Sequence, residues 1–164
     1  MFFNDAERFV YERPTELVDP RSGVICFPNN YRYPDDENLA EGFLRVTALA
    51  DFAGWTSLDE AVYKEKKAEW FEVLREVSLR MLPKTDENRL NRHVLATDMF
   101  TPRTIQHFTG KLGGAVYGAP SKRRDGATHL DNLYLCGTDQ GFLGIIGSML
   151  SGITIANLHL LRPN

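Results

Sequence analysis

The chain has 164 residues, enough for one domain or for two lobes of a larger one. Charged residues make up 25% and hydrophobic residues 43%, the balance of an ordinary folded protein. Net charge is −3 and the one dense basic cluster, Lys122-Arg123-Arg124, is followed at once by Asp125, so the broad basic face of a nucleic-acid binder is excluded.

Residues 1–50 read as strands and turns. Phe9-Val10-Tyr11 is a short β-prone run, and Gly23 to Phe27 is a second, stopped by the turn cluster Pro28-Asn29-Asn30. Residues 34–42 form a polar loop that contains the acid pair Asp35-Asp36. Phe43 to Ala50 follows as a strand, and two strands joined by a polar loop predict an antiparallel pair. The aromatic residues Phe2, Phe3, Phe9, Tyr11, Tyr31 and Tyr33 cluster in this region and read first as core.

Ser57-Leu58-Asp59-Glu60 has the Ser-x-x-Glu form of a capping box, in which hydroxyl and carboxylate each satisfy a free backbone donor. The helix it opens runs to about Leu82, where Pro83 stops it. Trp70, Leu74, Val77 and Met81 share one face and read as core, as does Trp55. A polar connector, Lys84 to Arg92, contains the pair Asp86-Glu87, and His93 to Met99 reads as a strand. Thr101-Pro102 looks like a helix start, with the threonine as cap and proline at the first helical position, and that helix ends near Gly110.

The last third carries the chemistry. Leu133-Tyr134-Leu135-Cys136 is a wholly apolar run, the pattern of a strand inside a parallel sheet covered on both faces. Gly137-Thr138-Asp139 is a glycine turn with an acid, and a helix follows from about Gly144 to Leu161. Ligands of open α/β sheets bind at the carboxyl ends of strands, and the free N–H groups of a helix start suit electron-rich atoms. Asp139 cannot favour a phosphate but can accept hydrogen bonds from sugar or ribityl hydroxyls. Small residues recur four apart, Gly144 with Ser148, Gly147 with Ser151 and Ser148 with Gly152, giving a smooth helix face. On these grounds a ligand site and plain tight helix–strand packing are both open readings.

Residues 141–161 contain no Asp, Glu, Lys or Arg, a length that would satisfy a membrane span. Their glycines, serines, Asn157 and His159, and the lack of aromatic anchors at both ends, favour a buried, closely packed helix instead. Cys26 and Cys136 lie in apolar runs and read as buried, reduced thiols. The four histidines, His93, His107, His129 and His159, show no metal-ligand spacing, so no metal site is expected.

The segment Asn132 to Asp139, followed by Gly144 to Gly152, resembles the C-terminal flavin motif of the phytoene desaturase, carotenoid isomerase and retinol saturase group of FAD-dependent oxidoreductases. Thr101-Pro102-Arg103-Thr104 to Gly110 and Gly113-Gly114-Ala115-Val116-Tyr117-Gly118 are similar to that group's approach to the motif. Residues 1–83 resemble its substrate-binding region less specifically. The resemblance implies an α/β (α+β) fold, with an antiparallel substrate-domain sheet and a helix over residues 1–100. Residues 101–164 would supply the C-terminal strand–helix of a Rossmann-like FAD-binding domain.

The resemblance further implies FAD as cofactor, with Gly137, Thr138 and Asp139 beside its ribityl and pyrophosphate. Gly144, Ile145, Ile146 and Gly147 would lie near the isoalloxazine, with Met149 beside it. Gly114 and Tyr117 would border the ring or the substrate channel. The implied activity is desaturation, saturation or isomerisation of an apolar, isoprenoid or carotenoid-like small molecule, with a cytoplasmic location and contact at a membrane surface. The cofactor performs the redox step in such enzymes, so no catalytic side chain is named.

One departure matters. No GxGxxG fingerprint occurs in the 164 residues, and Gly110-Lys111-Leu112-Gly113-Gly114 lacks its spacing. The chain begins where the family's substrate region is under way. We therefore expect a fragment, a truncated product or one subunit of a split enzyme, with an N-terminal FAD-binding segment as partner in cis or in trans. The alternative is a non-catalytic binding or assembly subunit that keeps the fold without FAD.

Overall fold

A computed structural model describes residues 1–10, 12–34, 37, 39–82, 91–116, 121–140 and 144–161. The protein is mixed α/β, with a three-stranded antiparallel sheet and helices, divided into two compact units, 1–101 and 102–164.

In the first unit, β1 (Phe2–Asn4), β2 (Val18–Cys26) and β3 (Arg45–Ala50) lie in the order β1-β2-β3. The antiparallel pair expected from residues 23–27 and 43–50 is present as β2 and β3, with Ile25 opposite Val46 and Val24 opposite Thr47. The third strand is Phe2–Asn4 rather than Phe9-Val10, and Tyr11 lies outside the described residues. The register slips between Asp19 and Gly23, where Pro20 removes a ladder donor. Asp19 is 4% exposed there, and both its oxygens are held by Arg21, at 2.8 Å from Nε and 2.7 Å from Nη2. The guanidinium's hydrogen bonds hold the Asp19 carboxyl below its ordinary value. Gly23 sits where strands crowd, since a Cβ there would meet the Thr47 carbonyl oxygen at 2.4 Å.

Helix α1 (Phe52–Ser57) starts at Asp51, whose Oδ2 accepts from the Gly54 N–H at 2.6 Å. It buries Trp55 completely, and the indole N–H donates to the Leu17 carbonyl at 2.9 Å. Helix α2 (Glu60–Arg80) is capped by Asp59, which accepts from the N–H groups of Ala61 and Val62. The expected capping box at Ser57 and Glu60 does not form, because Ser57 ends α1 and bonds back to Gly54. Of the predicted face, Val77 is buried and Trp70 and Leu74 are half-buried. The core joins Phe3, Ile25 and Val77, with Phe27, Val46, Met81 and Leu82 packed around it. Among the described members of the aromatic cluster Phe3 alone is core; Tyr33 is half-buried and Phe2, Phe9 and Tyr31 are exposed. The pairs Asp35-Asp36 and Asp86-Glu87 lie outside the described residues.

His93 to Met99 is not a strand: the segment is irregular, with Leu95 80% exposed, and pairs with no strand among the described residues. It is tied to α2 by Lys67 and Asp98 at 2.8 Å, a contact that holds the Asp98 carboxyl below its ordinary value.

The second unit contains α3 (Pro102–Thr109) and α4 (Gly144–His159). α3 begins and ends where Thr101-Pro102 and Gly110 place it. No helix among the described residues is long and apolar enough to cross a membrane.

Candidate functional site

The candidate site is the turn at residues 137–140 and the start of α4. Leu133 to Cys136 does not form the expected parallel-sheet strand. Among the described residues its one ladder contact is an isolated antiparallel bridge, Ala127 with Tyr134, reinforced by Leu135 N–H donating to the Gly126 carbonyl at 2.8 Å. Leu133 is 46% and Leu135 51% exposed, and Cys136 is exposed rather than buried. The run is apolar enough for a sheet interior, but no described strand of the unit flanks it on the other edge.

The short hairpin is held by side chains on both sides. The Thr128 hydroxyl accepts from the Leu130 N–H at 3.0 Å and lies 2.9 Å from the Leu133 carbonyl. Asn132 takes the left-handed conformation at φ 61°, which asparagine tolerates better than most residues. Asp125 accepts from the Ala127 N–H and from Arg123, whose hydrogen bond holds its carboxyl below the ordinary value.

α4 packs one stripe on this hairpin. Ser151 is fully buried, Ile155 is 6% exposed, and His159 completes the i, i+4, i+8 series. His159 stacks on Tyr134 with ring centroids 3.9 Å apart, and its Nε2 lies 2.7 Å from the Asp125 carbonyl oxygen. Gly126 makes the approach feasible: at φ +64° a Cβ would meet the Leu135 carbonyl at 2.4 Å and Ile155 Cδ1 at 2.5 Å. Sequence reasoning missed Gly126 and Gln140. Nothing local separates this glycine from others, and only the Asp125-Gly126 pair, a turn signal, points to it.

The turn is fastened to the helix by the Gly137 N–H, which donates to the Ser151 hydroxyl; that hydroxyl in turn donates to the Ser148 carbonyl at 2.9 Å. Gly137 has φ 101° and Gly144 has φ 73°, so both need glycine's freedom, and a Cβ at either would meet nothing within 4 Å. Thr138 and Gly147 are half-buried, while Ile145, Ile146 and Met149 are 82%, 75% and 67% exposed. The helix is therefore not the buried one expected from its composition. One stripe is covered and the apolar remainder faces outward. The Asp139 side chain and Tyr117 lie outside the described residues. Gly114 packs elsewhere in the unit, against α3, where a Cβ would meet the Pro102 carbonyl at 2.5 Å.

Gln140, last residue of the turn, is 2% exposed and its Oε1 is buried without a hydrogen-bond partner. The open positions Gly137 and Gly144 leave room for a flavin's ribityl chain or ring edge to approach the backbone, whereas Gln140 Oε1 is enclosed by protein. Among the described residues no group of three or more His, Cys, Asp or Glu could hold a metal ion. Comparison of the chain with protein-family models, curated proteins and solved structures returned no match.

Proposed function

We propose that the chain is the C-terminal part of an FAD-dependent oxidoreductase similar to the phytoene desaturase group, acting on an apolar, isoprenoid-like small molecule. The observation that carries the reading is the fastened turn. Gly137 is locked to Ser151, and both Gly137 and Gly144 keep open space where a side chain would stand. At Gly114 and Gly126 that space is filled, and at Gly42, Gly110 and Gly152 it is open too, so what marks the turn is open space at two positive-φ glycines joined with the Gly137–Ser151 bond.

Bound FAD would supply the electron-accepting chemistry. The chain's part is to bind and orient. Gly137, Thr138 and Asp139 would hold the ribityl end, and Gly144 to Gly147 would offer backbone N–H groups to the ring, since the first turn of a helix has no partners of its own. Ile145, Ile146 and Met149 would present an apolar wall that excludes water. The adenosine end needs a GxGxxG segment, in cis or in trans, which these 164 residues lack. A cytoplasmic location with contact at a membrane surface goes with an apolar substrate.

The second reading is a binding or assembly subunit without FAD. The exposed apolar side of α4, including Ile145, Ile146, Met149 and Ile153, favours it, because such a surface calls for a covering partner whether or not a flavin lies beneath. The two separate in one experiment. The chain is purified alone and with the polypeptide encoded beside it that carries GxGxxG, and flavin absorbance is recorded. A yellow complex formed only with that partner supports the split enzyme. A colourless complex that takes up no FAD overturns it in favour of assembly.

A further inference from the structure

We draw no further inference here: the strongest candidate, the outward apolar side of α4 around Ile146, Leu150 and Ile153, carries none because nothing in the structure shows what covers it.

Discussion

The backbone N–H of Gly137 donates to the hydroxyl of Ser151, fourteen residues further along the chain. This contact sets the turn against α4. Ser151 is fully buried, so its hydroxyl has no water to fall back on, and the bond is part of the unit's interior. Ser151→Ala leaves a partly buried N–H unpaired, a loss of about 1–3 kcal/mol. Hydrogen exchange at the Gly137 amide should accelerate accordingly, and an unchanged exchange rate would show that the turn holds without the serine.

Glycines 126 and 152 should respond in opposite directions to alanine. Gly126 has positive φ and no room, with the Leu135 carbonyl 2.4 Å from a Cβ, so Gly126→Ala should lower the unfolding free energy by about 1–3 kcal/mol or more. Gly152 lies inside α4 with nothing within 4 Å of a Cβ, so Gly152→Ala should raise stability by about 0.5–1 kcal/mol. Urea titration followed by circular dichroism reads both, and a destabilised Gly152→Ala would mean that the small-residue face is already packed in the isolated chain.

Trp55 anchors the first unit. It is fully buried, meets Tyr63 edge-on at 5.8 Å, and bonds the Leu17 carbonyl. Trp55→Ala should cost about 3–5 kcal/mol. Trp55→Phe keeps most of the apolar area and removes one of two donors to the Leu17 carbonyl, which keeps the Asp51 N–H at 3.0 Å, so a loss of about 0.5–1.5 kcal/mol is expected. If the two variants melt alike, the hydrogen bond outweighs the packing and the assignment of Trp55 to the core is wrong.

Asp19 sets a pH dependence. Its carboxyl is held below the ordinary value of 3.8 by the Arg21 hydrogen bonds. A lowered folded-state pKa contributes stability that is fully present above 3.8 and is lost as pH falls through the lowered value. The stability gap between wild type and Asp19→Asn should be widest near neutral pH and close as pH drops below 3.8. A gap that stays constant down to strong acid would exclude the Asp19–Arg21 pair as its source.

Asp139 belongs to the flavin reading. Asp139→Ala is expected to lower FAD occupancy in the complex with the GxGxxG-bearing partner, read as the ratio of flavin to protein absorbance. Equal occupancy would remove Asp139 from the site.

Short-range pattern determined much of this protein. The antiparallel pairing of residues 23–27 with 43–50, the long helix over the sixties and seventies, the helix opened by Thr101-Pro102, and the order of apolar run, glycine turn and final helix are all legible in the sequence. Each depends on residues a few positions apart, through periodicity, capping or proline geometry. Tertiary structure alone decided which surfaces are covered. Leu133 and Leu135 have a sheet-interior pattern yet stand exposed, because burial depends on what lies across from a residue and not on the residue itself. The same holds for α4, where only the stripe Ser151, Ile155 and His159 meets the hairpin. It holds for Gly126, required by a helix nearly thirty residues away, and for Gln140, whose side-chain oxygen is without a partner among the described residues.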